Sequence, residues 1–241
     1  PEPFIQAHLT RFGIRPHIID YTDEFIKVLA DPAHGYGKHF NPCIDCKIGM
    51  LKIAKDMLAP LQASFVVTGE VLGQRPMSQR RDAMNIIERE AGLKDLLLRP
   101  LTAQHMKPTL PERSGIVNRA ALPAIAGRGR KVQEESAHAH GIFDIPNPAG
   151  GCLLTYAQIA HKMRRTFERF APALPSRYDL ILDVVGRMFM LDAATVCVVS
   201  RNEQETDLMA KLNYPGNTFL KLKGIPGPLC IIRGEHACAN L

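Results

Sequence analysis

Two cysteines stand three apart in Asn41-Pro42-Cys43-Ile44-Asp45-Cys46, immediately ahead of an apolar-periodic stretch. A third, Cys152, closes Pro148-Ala149-Gly150-Gly151-Cys152, a run with the composition of a tight loop. Thiolates hold soft metals and act as redox nucleophiles, so this set reads as a metal or redox site. Pro42 fixes the entry to the helix, which puts Cys43 and Cys46 where the macrodipole and free N–H groups favour thiolate. Cys197 and Cys230 fall in apolar, strand-like runs and read as packed core thiols. Cys238, close to the C-terminus, takes no role.

Basic residues form the second chemical signal. The 241 residues carry 30 Lys and Arg against 24 Asp and Glu, a net charge of +6. That balance favours an anionic partner such as a nucleic acid or a nucleotide. Lys162, Arg164, Arg165 and Arg169 share one face of a helical stretch and could track phosphates, though a plain solvated face fits the same pattern. An apolar content of 46% and a charged content of 22% describe an ordinary globular chain, long enough for one large domain and a small second one. No apolar run approaches the roughly 18 residues that span a bilayer, and no signal peptide is visible, so no membrane partner is expected and the expected location is the cytoplasm. In that reducing compartment six cysteines are free, metal-bound or catalytic rather than a disulfide framework. The chain opens at Pro1 with neither a helix start nor a strand start before it, and residues upstream of it are expected.

The elements that must position these residues follow from periodicity. Ile14 to Asp20 reads as a short buried strand and Thr22 to Leu29 as a helix. Ile44, Ile48, Leu51, Ala54 and Leu58 form a helical stripe, and Ser64 to Thr68 a buried strand. A basic helix over Ser78 to Glu90 precedes a strand at Leu96 to Leu98. Strands alternating with helices predict an α/β domain with a parallel sheet, whose ligands bind beyond the carboxyl ends of the strands. Thr68-Gly69-Glu70 and Arg99-Pro100-Leu101 lie at such ends. Lys107 to Arg130 is an irregular substrate loop, and Lys131 to His140 a short helix. Thr155 and Gln158 suggest a capping box for a helix bearing Ile159, Met163, Phe167 and Phe170. Ala171 to Ser176 is the expected linker. Beyond it come strands at 188–191, 195–200, 218–222 and 229–233 and a helix at 202–212, a small α+β module. The Met- and Phe-bearing helices suit a core or a homodimer interface equally.

Thr68-Gly69-Glu70-Val71-Leu72-Gly73-Gln74-Arg75-Pro76-Met77-Ser78-Gln79 resembles the second nucleotide motif of the PP-loop ATPases, closest to the form in 4-thiouridine synthetases. Leu98-Arg99-Pro100-Leu101 resembles the strand end that follows it. The resemblance runs from about residue 14 to 160. It implies a parallel-sheet, Rossmann-like PP-loop domain over residues 1–170 that adenylates a uridine carbonyl of tRNA with ATP and Mg2+, then replaces AMP with sulfur. Lys47 matches a basic ATP contact, Gly69 the glycine against which adenine packs, and Gln79 a glutamine near the phosphates. A glycine at 69 also keeps the backbone open to a nucleotide. The defining Ser-Gly-Gly-x-Asp-Ser loop is not in the sequence and should precede residue 1 with the first strand, which leaves the catalytic residues unassigned.

Cys43, Cys46 and Cys152 resemble the three-cysteine set of iron–sulfur-dependent tRNA thiolation enzymes, which implies a 4Fe-4S cluster with one open iron that carries a hydrosulfide. That reading ranks first. A persulfide relay needs only Cys46 and Cys152. Zinc ranks third, with His34, His39 or His105 as the fourth ligand. The sulfur donor would be sulfide or a cysteine desulfurase. Arg128, Arg130, Lys131, Arg164 and Arg165 would guide the tRNA. Ser200-Arg201-Asn202-Glu203 with Gly224-Ile225-Pro226-Gly227-Pro228 resembles the RNA-binding domain of NFACT proteins, which implies a second domain at 177–241 with Arg201, Lys221, Lys223 and Arg233 on RNA. The first rival to the enzyme is a non-catalytic tRNA-binding protein with a structural metal. The second is an ATP-dependent enzyme acting on a small molecule.

Overall fold

The computed structural model describes residues 9–10, 12–143, 145 and 152–234. The glycine turn at Pro148-Ala149-Gly150-Gly151 and Cys238 lie outside these described residues. Helix α1, Thr22–Ala30, starts with Asp23 and Glu24 in its first turn, where acidic side chains complement the dipole, and buries Ile26 and Leu29. Helix α2, Cys43–Asp56, begins directly after Pro42 and buries Ile48 and Leu51 on the expected stripe. Strand β1 (Val66–Val67), helix α3 (Arg81–Glu90) and strand β2 (Leu97–Leu98) then form a β-α-β unit. Its two strands run parallel, with Val66 opposite Leu97 and Val67 opposite Leu98. Ile48, Leu51, Ile87, Ala91, Leu93 and Leu97 close one core between the helices and this pair.

The stretch read as a strand at 14–20 forms no strand among the described residues, and Ile14, Ile18 and Ile19 are each roughly half exposed, at 51%, 49% and 46%. A strand needs a neighbour for its N–H and C=O groups, and none of the described strands lies beside it. The segment from 107 to 130 is irregular as expected, broken only by the four-residue helix α4 (Leu110–Arg113) and a 3-10 turn at Arg119–Ala121. It returns to the motif loop, where Ala126 bridges Leu72 and Gly127 N–H donates to the Leu72 carbonyl at 2.8 Å. That return sets the start of helix α5, Lys131–Ala139.

Helix α6, Ala157–Phe170, lacks the expected cap: Thr155 Oγ1 instead donates to the Cys152 carbonyl at 2.6 Å and closes a 3-10 turn, Leu153–Thr155. Helix α7, Arg177–Val184, has no counterpart in the sequence reading. Its signature is nevertheless there, since Ser176 and Asp179 form a reciprocal capping box. Leu180 of α7 joins Ile26, Leu29, Phe40, Leu154, Ala160 and Met163 in a second core. Leu182, less than a turn later, joins Val185, Val198, Met209, Leu212, Leu229 and Ile231 in a third. Above the third core lies an antiparallel sheet of β3 (Arg187–Met190), β4 (Val196–Val199), β5 (Asn217–Leu220) and β6 (Cys230–Arg233), in the order β3-β4-β6-β5, with helix α8, Glu203–Ala210. The architecture is mixed α/β: a small parallel pair in a partial Rossmann-like arrangement, and a separate antiparallel sheet in an α+β arrangement. No helix among the described residues is long and apolar enough to cross a membrane.

Candidate functional site

A cavity of about 410 Å³ opens past the carboxyl end of β1. Lys47 comes to it from α2, Gly69, Gln74, Arg75 and Gln79 from the loop after β1, and Arg130 and Gln133 from the start of α5. The loop is held closed by Gly73, whose φ of +78° suits glycine and whose N–H donates to the Gln79 carbonyl at 2.7 Å. Gln74 Nε2 donates to Gln133 Oε1 at 2.8 Å and ties the loop to α5. At Gly69 neither φ nor packing demands glycine, since a Cβ there would meet nothing within 4 Å. What the glycine leaves is clear space over the backbone at the cavity wall. The three residues expected to contact ATP, Lys47, Gly69 and Gln79, therefore share one cavity.

Sequence reasoning missed the charge pair beneath it. Glu70 and Arg99, at the carboxyl ends of neighbouring parallel strands, are 2% and 3% exposed and joined by Arg99 Nε donating to Glu70 Oε2 at 3.1 Å. Arg99 also donates to Glu88 Oε2 at 2.8 Å and to the Met84 carbonyl at 3.2 Å, so its donors are used within the fold. The two strand ends carry opposite charges, but 29 positions separate them and no local pattern announces the pair.

Two cavity residues act electrostatically on the thiols, Lys47 on Cys46 and Arg75 on Cys152. Burial pushes Cys46 up to about 11, helped by the nearby Cys43 and Cys152 and opposed by Lys47. Solvent reaches Cys152, but desolvation by surrounding protein still raises its thiol, as Cys43 does, while a hydrogen bond from the Leu154 backbone and the cavity residue Arg75 lower it. The expected thiolate activation of Cys46 at the helix N-terminus is overturned, because desolvation by burial is the largest influence on it.

The expected metal site is corrected too. Among the described residues no group of three or more Cys, His, Asp or Glu is arranged to hold a metal ion. Cys43 and Cys46 are half-buried free thiols on α2 and Cys152 is an exposed free thiol, near enough to interact but not grouped as ligands. The iron–sulfur cluster, its open iron and the metal-ligand roles of these cysteines are therefore set aside, and zinc with them. His34 Nε2 lies 2.9 Å from Glu90 and His105 Nε2 lies 2.9 Å from the Ala124 carbonyl, which engages both rings elsewhere.

The basic candidates divide. Arg130 lines the cavity, whereas Arg128 and Lys131 are exposed beside it, Lys131 lying 3.8 Å from Glu135. Arg164 stacks over Tyr36 and Phe40 and donates to the His39 carbonyl at 2.8 Å, so it serves the packing of α6 against the 31–41 loop. Arg165 is exposed on the same helix. Arg201 is held by Glu205 in a bidentate pair. Cys197 and Cys230 are half-buried, not packed in the core, because their register places them on the face opposite Val196, Val198 and Ile231.

Residues 5–108 match the family model described as thiamine biosynthesis protein (ThiI). This stretch is a ThiI-like PP-loop domain, which relates it to a family of ATP-utilising enzymes. It holds α1 to α3, both parallel strands, Lys47 and the whole motif loop. The match ends before α4 and the antiparallel sheet. No curated protein and no solved structure matches the chain.

Proposed function

We propose that this chain carries the chemistry of an ATP-dependent tRNA sulfurtransferase that works by a cluster-free relay between Cys46 and Cys152. The observation that carries this reading is the meeting of Lys47, Gly69 and Gln79 on one cavity whose residues Lys47 and Arg75 also act on the two thiols. ATP with Mg2+ is the substrate of the cavity. The open face of Gly69 suits a flat purine, and Lys47 and Arg130 offset phosphate charge. Residues 1–170 supply this site, and 177–241, with Arg201, clamp the tRNA. Arg128, Lys131 and Arg165 guide it electrostatically.

The steps balance without a metal. The uridine carbonyl oxygen attacks the α-phosphorus of ATP and expels pyrophosphate. A cysteine desulfurase, as donor, loads Cys152 as a persulfide, since Cys152 is the thiol solvent reaches. The terminal persulfide sulfur attacks the activated carbon; AMP leaves with the former carbonyl oxygen and takes the persulfide proton. Cys46 then attacks the Cys152 sulfur of the mixed disulfide. The S–S bond to the base breaks, the Cys46 proton ends on the ring nitrogen of the base, and a Cys46–Cys152 disulfide remains for a dithiol to reduce.

The test is single-turnover thiolation of tRNA by the full-length protein with ATP and a persulfide donor. Cys46→Ser and Cys152→Ser should each abolish thiouridine formation while ATP-dependent transfer of AMP to tRNA persists. Thiolation that survives either substitution contradicts the relay. A wild type that binds tRNA yet never consumes ATP would make the chain a non-catalytic tRNA-binding protein.

A further inference from the structure

We propose that Glu70 reads the ribose of the nucleotide, one carboxylate oxygen accepting a hydrogen bond from a ribose hydroxyl; this rests on the nucleotide reading of the cavity above. Glu70 lines the cavity and is 2% exposed. Its Oε2 is satisfied by Arg99 Nε and Thr68 Oγ1, each donating at 3.1 Å. Its Oε1 receives no hydrogen bond from any described residue. Lys47 Nζ stands 3.5 Å from that oxygen, close enough for charge attraction but not a hydrogen bond. A buried carboxylate oxygen without a donor is costly, so the position is one that a ligand completes.

The charge around Glu70 selects the kind of donor. Arg99 and Lys47 already balance its single negative charge, and a further cation placed between them would be repelled by both. A neutral O–H donor adds no charge and meets the need. Ribose presents two adjacent hydroxyls, and an acidic side chain on ribose hydroxyls is a recurring device of nucleotide sites. Gln79 supports the same assignment: it is 6% exposed on the same cavity, and its Oε1 also has no partner among the described residues. The loop after β1 thus offers two unfilled acceptors, while Lys47 and Arg130 supply positive charge. A molecule with hydroxyl donors at one end and phosphates at the other matches that polarity.

The experiment is a calorimetric titration of the full-length protein with ATP, 2′-deoxy-ATP and 3′-deoxy-ATP. The wild type should bind at least one deoxy analogue about 10- to 100-fold more weakly than ATP. Glu70→Ala, which removes the acceptor, should bind all three alike, at the level of the weaker analogue. Because Glu70 is also the partner of buried Arg99, this variant is checked by thermal unfolding, and if it does not fold the wild-type series decides alone. Equal wild-type affinity for ATP and both analogues overturns the role of Glu70 and leaves the nucleotide cavity standing. No binding of ATP at all overturns both.

Discussion

Burial is the largest influence on Cys46, whose thiol lies at about 11 although it occupies the first turn of α2. A thiol that high is protonated through the neutral range and becomes nucleophilic only as pH rises toward 11. Alkylation of Cys46 by iodoacetamide should therefore stay slow at pH 8.5, where an unperturbed thiol is about half ionised, and should still be climbing at pH 10; a plateau below pH 9 contradicts this. One turn further on, Gly49 is fixed by its neighbour: a Cβ there would lie 1.7 Å from Tyr21 Oη and 2.5 Å from its Cζ. Gly49→Ala should destabilise the protein by about 1–3 kcal/mol in urea unfolding, despite the higher helix propensity of alanine. In a Tyr21→Ala background the same change should be neutral or stabilising, by up to about 1 kcal/mol. The family resemblance named Gly69 and Gln79 within one contiguous motif and Lys47 outside it, and the fold brings all three to one cavity. Sequence spacing missed Tyr21 on Gly49 and Glu70 on Arg99, because those contacts join residues about 30 positions apart and leave no local pattern.

Helix α7 links two of the three cores, giving Leu180 to one and Leu182 to the other. Its N-terminus is fixed by Ser176 and Asp179, and Asp179 also takes the Arg233 guanidinium from β6. Burial alone would raise the Asp179 carboxyl, but Arg233 and Ser176 hold it below the usual carboxylate range. Ser176→Ala should cost about 1 kcal/mol, the loss of one cap. Arg233→Ala should cost about 3–5 kcal/mol, because it strands a buried carboxylate; chemical denaturation checks both, and equal costs contradict the account. Most elements were legible, since alternation and 3.6-residue periodicity survive in β3 to β6 and in α1 to α3, α5 and α6, while the four-residue α4 is too short to show a period. Helix α7 was missed although its capping pair is in the sequence, because Leu180 and Leu182 face two different cores and leave no single apolar stripe. The stretch at 14–20 failed the other way: its composition is strand-like, but pairing is a property of neighbours, not of a segment.

At the scale of the molecule, the junction of α6 and α7 holds a titratable centre. Asp183 is 0% exposed; its Oδ1 accepts from Thr166 Oγ1 at 2.9 Å and its Oδ2 has no partner among the described residues. Burial pushes its carboxyl up to about 7, against the pull of Thr166, Arg169 and Lys162, with Asp179 adding to the rise. Between about pH 4 and 7 folded Asp183 keeps a proton that the unfolded chain has lost. Its contribution is therefore most favourable below that window and falls by roughly 2–4 kcal/mol as pH rises through it. Asp183→Asn should flatten this part of the stability–pH curve, and an unchanged slope contradicts the assignment. The same assembly of parts underlies the function proposed: a motif loop, a cavity and two thiols contributed by segments about 100 residues apart. Peptide mapping by mass spectrometry under non-reducing conditions, after one turnover with tRNA, ATP and a persulfide donor, tests that proposal most directly. The relay predicts a Cys46–Cys152 disulfide in step with thiouridine. Thiouridine formed while both cysteines stay reduced would contradict it.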